Sequence, residues 1–319
     1  MVSLEDTLRS IVGAEQVRCG EPMSARTTFR VGGPADFFVM PNTADHVAAV
    51  LAACRERGER TYIMGRGSNV LVADEGLRGV VVQLAGNLAD AEIGQGGIVR
   101  VQAGASNARV AAMACRAGLA GYEFAAGIPG TVGGAAIMNA GAYDGEFKQV
   151  AQSVTCLTRD LAIVDVSAEE AQWSYRHSMM ADASMIVLSA VLRLHEGNPE
   201  DIQQRMDELA RKRSSKQPLD LPSAGSTFKR PEGHFAGKLI QDAGLSGYTV
   251  GGAQVSTKHA GFVVNAGGAS AADVLQVIRD VRSRVLDSSG VALEPEVRFW
   301  GFSPEQLGEL CREDAPATR

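Results

Sequence analysis

The sequence predicts an α+β fold in which short strands alternate with a few amphipathic helices. Three apolar runs have the length and composition of strands, namely "DFFVMP" (36–41), "GVVVQL" (79–84) and "MIVLSAVLRL" (185–194). Segments with a helical period of 3.6 residues lie between and after these runs. The chain has 319 residues, 45% of them hydrophobic, so it is long enough to form two or three domains.

The helices are predicted from capping residues and from the apolar stripe that follows each cap. Thr43 precedes a helix that ends near Gly58, Ser106 precedes a second helix, and Ser270 precedes a long third helix. The segment 199–216 is strongly polar apart from one narrow apolar stripe. This pattern predicts a surface helix that connects two domains.

Charge and composition argue against several classes of partner. The formal net charge is −6, and no basic block is longer than "RKRSSK" (211–216), so we expect no nucleic-acid partner. The first residues lack the apolar core of a signal peptide, and no uninterrupted apolar run reaches the roughly 18 residues of a membrane span. We therefore expect a cytoplasmic protein without membrane insertion.

The five cysteines do not form the pattern of a disulfide framework. Their number is odd, they are widely spaced, and no Cys-x-x-Cys pair is present. A disulfide scaffold and a structural zinc site are therefore not expected. No histidines stand at a metal-ligand spacing either, so the sequence predicts no metal site.

Two glycine-rich loops carry the strongest functional signal. They are "GIPGTVGGAAIMNAGAYDG" (127–145) and "MGRGSNVLVADEGLRG" (64–79). Glycine lets the backbone approach a ligand closely, so such loops suit main-chain N–H groups that bind phosphate oxygens. "GRGSNV" is not a Rossmann fingerprint, because Val70 replaces the third glycine, and no Walker motif is present. Either loop alone could simply form tight turns, but two together favour an extended phosphate ligand.

Six motifs in a fixed order resemble one enzyme family. They are "TTFRVGGPAD" (27–36), "GRGSNVLV" (65–72), "AGIPGTVGGAAIMNAGAYDGE" (126–146), "SYR" (174–176), "SAGSTFKRP" (223–231) and "LEPEVRFWG" (293–301). Together they resemble the UDP-N-acetylenolpyruvoylglucosamine reductases of peptidoglycan synthesis, from about residue 24 to residue 301. The resemblance implies a two-lobed FAD-binding region of the vanillyl-alcohol-oxidase (PCMH) type, followed by a smaller α+β substrate-binding domain. It also implies non-covalent FAD, and NADPH as the reducing co-substrate.

The resemblance and the predicted connecting helix together suggest domain boundaries. They are an N-terminal segment 1–23, an FAD-binding region 24–198 with lobes at about 24–84 and 85–198, a linker helix 199–216, a substrate-binding domain 217–302 and a C-terminal tail 303–319.

By the same resemblance, the glycine loops bind FAD. Residues 65–69 and 127–134 would surround the pyrophosphate with main-chain donors, and residues 139–141 would lie along the flavin. The cofactor residues implied in this way are Gly65, Arg66, Gly67, Ser68, Asn69, Gly127, Ile128, Pro129, Gly130, Thr131, Gly133, Gly134, Asn139, Ala140 and Gly141.

The implied reaction is the reduction of an enolpyruvyl ether to a lactyl ether, and three residues are implied to carry it. Arg176 would bind the substrate carboxylate, because a guanidinium is permanently charged and its planar fork matches a carboxylate. Ser226 would give a proton to the α-carbon. Glu296 would polarise the substrate carboxylate together with Arg176. If "LEPEVRFWG" is a strand, Glu294, Glu296 and Arg298 share one face, which leaves Glu294 as the alternative carboxylate.

Substrate-binding residues are implied less directly. Tyr175, Lys229, Arg230, Lys238 and His259 lie in or near the matching motifs, and the cations among them suit a UDP diphosphate. Each could equally be an ordinary surface or structural residue. Some family members carry an extra loop with a tyrosine after the Tyr-Arg motif, but here "SYRHSMMADAS" leads directly to the next strand. The chain therefore resembles the shorter subtype that lacks this loop, and Arg230 is expected to take over part of its role.

Two other functions are compatible with the glycine loops. One is an FAD-dependent oxidase or dehydrogenase of the same fold that acts on another small substrate. The other is a flavin or nucleotide carrier without catalytic activity. Neither would require the three catalytic residues in the C-terminal half of the pattern.

Overall fold

The structure, a computed structural model, describes residues 2–310. Cys311 and the part of the predicted tail that follows it lie outside the described residues. No helix among residues 2–310 combines the length and the apolar content needed to cross a bilayer.

The helices are α1 Leu4–Val12, α2 Ala44–Glu56, α3 Asn107–Arg116, α4 Val132–Ile137, α5 Met179–Asp182, α6 Pro199–Lys216, α7 Ala236–Asp242, α8 Ala271–Ser289 and α9 Pro304–Leu307. The strands are β1 Val17–Pro22, β2 Pro34–Val39, β3 Thr61–Met64, β4 Val70–Val72, β5 Leu77–Gln83, β6 Ala91–Ile93, β7 Ile98–Gln102, β8 Leu119–Ala120, β9 Gly141–Ala142, β10 Gly145–Glu146, β11 Ala151–Leu157, β12 Ile163–Ser167, β13 Ile186–Arg193, β14 His195–Glu196, β15 Thr249–Val250, β16 Ala253–Val255, β17 Val263–Asn265 and β18 Arg298–Trp300.

The first lobe is built on a four-stranded sheet in the order β1-β2-β5-β3. β1 runs antiparallel to β2, with Val17 opposite Val39, and β5 runs parallel to both of its neighbours. Leu8 of α1 and Val47 of α2 are fully buried in the same hydrophobic core as Val39. Helix α1 and strand β1 therefore pack as part of the first lobe.

The second lobe contains a five-stranded antiparallel sheet in the order β12-β11-β13-β7-β6. Helices α3 and α4 bury Val110 and Val132 in the core that this sheet shares with the first lobe. One continuous core therefore fixes the two lobes relative to each other, and the glycine loops lie in the connections at their junction.

The C-terminal domain is smaller and has its own core. The strands β15-β16-β17 form an antiparallel sheet, against which α7 and α8 bury Ile240 and Ile278. Leu71 of the first lobe belongs to this second core. After α8 the chain returns to the first lobe, where β18 pairs in parallel with β4 and Arg298 lies opposite Val70. The domain is therefore tied to the FAD-binding region at both of its ends.

The predicted α+β class and the predicted helices are confirmed. The Thr43 hydroxyl accepts the His46 N–H at 3.1 Å, and Ser106 caps α3 in the same way. Ser270 and Asp273 cap α8 reciprocally. The connecting helix α6 spans the expected residues 199–216. The domain boundaries themselves stay a prediction.

Candidate active site

A cavity of about 1520 Å³ lies where the two lobes meet the C-terminal domain. Both glycine loops line it, as do the segment after α6 (217–226) and β18. Its volume exceeds the range of about 300–1,000 Å³ that is typical of small-molecule pockets. The cavity is therefore large enough for an extended ligand such as a dinucleotide.

Close packing explains two of the glycines in these loops. Gly67 has a φ of +63°, and a Cβ there would lie 2.4 Å from the carbonyl oxygen of Arg26. A Cβ on Gly133 would lie 2.7 Å from the Cβ of Ala103. Any larger residue would force the backbone apart, so both glycines are needed for the loops to reach their positions.

Some main-chain N–H groups of the loops donate hydrogen bonds within the protein, and others do not. Val132 and Gly133 donate to the carbonyls of Ala105 and Ala103 at 2.9 Å, and Gly134 donates to the Thr131 hydroxyl at 3.3 Å. In contrast, no acceptor among residues 2–310 receives a hydrogen bond from the N–H groups of 66–68. The N–H groups of residues 66–68 are therefore available to a ligand, whereas the N–H groups at the start of α4 hold the loop in place.

Most of the predicted cofactor residues line the cavity. They are Gly65, Arg66, Gly67, Ser68, Asn69, Gly127, Ile128, Pro129, Gly130, Thr131, Gly133, Gly134, Ala140 and Gly141. Asn139 is different, because its buried amide donates to Glu146 and to the carbonyl of Ser174, both at 3.0 Å, and is absent from the cavity lining. Its side chain fixes the shape of the loop.

Two further nitrogen atoms in the cavity wall fit a polar, anionic ligand. The Nδ2 atom of Asn107 and the Nη1 atom of Arg213 are buried and have no hydrogen-bond partner among the described residues. Burial lowers the pKa of the Arg213 guanidinium, which indicates that its charge is poorly solvated. Buried donors without a partner are costly, so an acceptor supplied by a bound cofactor would stabilise this wall.

A second cavity of about 400 Å³ adjoins the first. Three residues line both cavities: Arg176, Ser226 and Glu296. The predicted catalytic residues are thus brought together at the boundary between a large cavity and a small one. A ligand in either cavity can reach the same three side chains.

Arg176 lies in a tight turn between Ser174 and His177, where its φ is +54°. Its Nε donates to Oε1 of Glu296 at 2.7 Å, and its Nη2 donates to the carbonyl of Gly141 at 3.4 Å. The left-handed conformation is rare for a residue with a side chain and is enriched at functional sites. The turn directs the guanidinium across the boundary of the two cavities, toward Glu296.

Glu296 is anchored through its backbone as well as its side chain. Its N–H donates to the carbonyl of Thr227 at 2.8 Å, and its carbonyl accepts from Nδ2 of Asn69 at 3.1 Å. Burial raises the pKa of the Glu296 carboxyl, although the charge of Arg176 opposes this shift. The ion pair is therefore only partly solvated, which strengthens its field at the site.

Ser226 is exposed and directly follows the turn at Gly225. Gly225 before it has a φ of +78°, and Thr227 after it is buried, with its N–H bonded to the carbonyl of Gly261 at 2.9 Å. The Thr227 hydroxyl accepts the N–H of Val263 at 2.9 Å. The segment is thus fixed by Thr227, while the Ser226 hydroxyl faces the two cavities.

Four of the five weaker substrate residues line the second cavity. They are Tyr175, Arg230, Lys238 and His259. The Tyr175 hydroxyl accepts the N–H of Arg230 at 3.0 Å, which joins the turn at Arg176 to the segment after Ser226. Lys238 forms an ion pair with Asp242 on α7.

The remaining residues near this cavity have structural partners. His259 packs edge-on against Phe262, and burial lowers the pKa of its imidazole, which favours the neutral ring. Lys229 is absent from the cavity lining and pairs with Glu294, whose side chain is 68% exposed. Glu294 therefore points away from the site, and of the two candidate carboxylates only Glu296 reaches it.

Sequence reasoning missed part of the cavity wall. Asn107, Arg213 and the segment 217–222 line the first cavity, but none belongs to a motif with a recognised ligand. Arg213 lies in the last turn of α6, where a basic residue is ordinary. The missing signal is a buried donor without a partner, which only a three-dimensional structure reveals. Among residues 2–310, no group of three or more possible metal ligands is found.

Comparison with known proteins identifies the family to which this chain is similar. A family model described as an FAD binding domain matches residues 35–167, and one described as the C-terminal domain of UDP-N-acetylenolpyruvoylglucosamine reductase matches residues 217–300. The reductase of Lachnoclostridium phytofermentans is 48% identical over 92% of this chain and 96% of its own length. That of Caldanaerobacter subterraneus subsp. tengcongensis is 45% identical over 93% and 98%.

The chain belongs to the UDP-N-acetylenolpyruvoylglucosamine reductase family. The crystal structure of the family member from Thermus caldophilus has a TM-score of 0.76 and 35% identity, with coverage of 89% of this chain and 98% of that one. The predicted family is therefore confirmed, and so is the predicted fold class with its FAD-binding region and C-terminal domain. These relatives match this chain over about nine-tenths of its length.

The shifted pKa of Glu296 predicts a pH-dependent change in stability for the variant Glu296→Gln. Because the pKa is raised, the folded protein binds this proton more tightly than the unfolded chain does, and the resulting stability is present at low pH and lost as the pH rises through the folded pKa. Glutamine removes this effect. We therefore expect the melting temperature of the variant, measured relative to wild type, to increase as the pH rises from about 4.3, the usual pKa of a glutamate, through the raised pKa of the folded protein.

Thermal unfolding of both proteins without cofactor, followed by circular dichroism across this pH range, measures the difference. Glu294→Gln, which removes a largely exposed carboxylate from the same segment, is the matched control. A difference for Glu296→Gln that stays constant, or that falls with rising pH, would contradict the assigned direction of the shift.

Proposed function

We propose that this protein reduces UDP-N-acetylglucosamine enolpyruvate to UDP-N-acetylmuramate, a step in the synthesis of peptidoglycan precursors, with FAD as its cofactor and NADPH as the reductant. The observation that carries this proposal is the meeting of a dinucleotide-sized cavity and a smaller polar cavity at Arg176, Ser226 and Glu296. The names of relatives that are similar over nearly the whole chain support the same substrate. Cell-wall synthesis, and through it cell shape and division, would depend on this activity, which we expect in the cytoplasm.

FAD would bind in the first cavity. The N–H groups of residues 66–68 would bind the pyrophosphate, because they have no acceptor within residues 2–310. Ala140 and Gly141, which line the cavity near Arg176, would lie along the flavin. When bound, FAD supplies the hydride chemistry, taking hydride from NADPH and passing it to the vinyl carbon of the substrate.

Arg176 would bind the carboxylate of the enolpyruvyl group. Its guanidinium lies at the boundary of the cavities and is oriented by Glu296 and by the carbonyl of Gly141. Negative charge builds on the α-carbon and its carboxylate as the vinyl carbon gains hydride, so a fixed cation there stabilises the transition state more than the ground state. Glu296 orients the arginine and would polarise the same carboxylate.

Ser226 would deliver the proton that completes the reduction. The vinyl CH₂ becomes a methyl group by gaining hydride, and the α-carbon gains a proton, so one hydride and one proton are added across the double bond. A serine hydroxyl is a weak acid, but the carbanion-like α-carbon is a strong base, and Ser226 is exposed to both cavities. Thr227 keeps the hydroxyl in place through its buried hydrogen bonds.

The second cavity would take the UDP part of the substrate. Arg230, Lys238 and Lys258 line it and supply positive charge for a diphosphate. Arg230 lies over the ring of Phe235 at 4.0 Å, and Phe235 is 62% exposed. Arg230 would take the part played by the tyrosine loop in longer family members. His259, Tyr175 and Lys229 would support this region by packing and pairing.

The wild-type protein tests the proposed function directly. We expect the purified protein to be yellow, to release FAD on denaturation and to be bleached by NADPH without oxygen. The enolpyruvyl nucleotide should then restore the colour faster than oxygen does, because the substrate carboxylate meets Arg176 beside the flavin. Stopped-flow absorbance measures both steps. Bleaching without re-oxidation by this nucleotide would instead favour an oxidase. A colourless protein that does not bind FAD would exclude both the reductase and the oxidase functions.

Removing the proton donor should separate the two half-reactions. Ser226→Ala removes one hydroxyl group and leaves the predicted FAD-binding loops unchanged, so we expect bleaching by NADPH at the wild-type rate. The step with the enolpyruvyl nucleotide should slow by about 10²-fold or more, the usual cost of losing a positioned acid. The first half-reaction serves as the internal control, and equal slowing of both steps would remove Ser226 from this role.

A further inference from the structure

Asn107 is a buried polar residue at the first position of α3. Its side chain is 0% exposed, and its Oδ1 accepts the hydroxyl of Tyr122 at 3.0 Å. Its Nδ2 has no hydrogen-bond partner among the described residues. The amide oxygen therefore has a hydrogen-bond partner within the described residues, and the amide nitrogen has none.

Tyr122 fixes the orientation of the amide. The tyrosine is 1% exposed and packs edge-on against Phe124, and burial raises the pKa of its phenol, so the hydroxyl stays protonated. A protonated hydroxyl donates to the oxygen of the amide, which leaves the two Nδ2 hydrogens directed elsewhere.

The nitrogen lies at the point where the two glycine loops approach each other. A Cβ on Gly130 would lie 3.8 Å from the Asn107 Nδ2 and 3.3 Å from the Ser68 hydroxyl. The backbone of Asn107 also donates to the carbonyl of Gly130 at 3.3 Å. Asn107 itself lines the first cavity. Its unpaired donor thus belongs to the same wall as the free N–H groups of residues 66–68.

We propose that Asn107 is a cofactor-binding residue whose Nδ2 donates a hydrogen bond to a pyrophosphate oxygen of FAD. This inference rests on the proposed function, because it requires a dinucleotide in the first cavity. A neutral amide supplies a donor without adding a buried cation, and the bond from Tyr122 orients it before the ligand arrives. Binding then satisfies a donor that is otherwise buried without a partner.

The central variant is Asn107→Asp, which keeps the size of the side chain and the acceptor for Tyr122. It replaces the Nδ2 donor by an oxygen that faces a phosphate oxygen, so the dissociation constant for FAD should rise about 100-fold or more. Asn107→Leu removes the donor without adding charge, and about a 10- to 100-fold rise is expected. Tyr122→Phe removes only the orienting hydroxyl and should have a smaller effect than either.

Quenching of flavin fluorescence by the cofactor-free proteins measures the dissociation constants, and their melting temperatures without FAD report structural damage. The proposal is supported if both Asn107 variants bind FAD more weakly in the expected order while they melt close to wild type. It is overturned if Asn107→Asp binds FAD within about threefold of wild type, if weaker binding only follows lower stability, or if neither Asn107 variant folds. Failure of the wild-type protein to bind FAD would instead overturn the proposed function.

Discussion

The ion pair between Arg176 and Glu296 is the interaction on which the site depends. Its two members are separated by 120 positions in the sequence, yet Nε and Oε1 are 2.7 Å apart. Arg176 comes from a turn in the second lobe, and Glu296 from the segment that returns from the C-terminal domain. Asn69 of the first lobe binds the carbonyl of Glu296. One partly buried pair therefore joins all three parts of the molecule.

A pair of this kind is sensitive to the fold around it. Breaking a buried ion pair by removing one member leaves an uncompensated charge, and the pair forms only if all three parts are in place. The β18–β4 pairing and the shared core at Leu71 place Glu296 opposite the arginine. The proposed catalysis and the stability would thus rely on the same contacts, because the pair that is proposed to bind the substrate carboxylate is also a contact between domains.

The sequence predicted the elements with strong local signals. Hydroxyl caps at Thr43, Ser106 and Ser270 fixed the starts of α2, α3 and α8 correctly, because capping depends only on neighbouring residues. The positions of segments that pack against distant parts of the chain were harder to predict. As a full strand, the segment 293–301 would place Glu294 and Glu296 on one face, but it is a strand only at Arg298–Trp300, and Glu294 pairs with Lys229.

The glycine loops show why part of the site could not be predicted. Gly67 and Gly133 are required by the close approach of neighbouring chain, and several amides near α4 are used to fix the loop, so a count of glycines does not identify the donors left for a ligand. The family motifs led to Arg176, Ser226 and Glu296. They gave no indication of Asn107, because its donor is notable only for being buried without a partner in the described part of the chain.

A crystal structure of the protein with FAD and the enolpyruvyl nucleotide tests the central claim most directly. The account predicts that FAD occupies the larger cavity, that its reactive edge faces the opening shared with the smaller cavity, and that the substrate carboxylate contacts Arg176 within reach of Ser226. A flavin whose reactive edge points away from these residues, or a substrate carboxylate bound elsewhere, would contradict it.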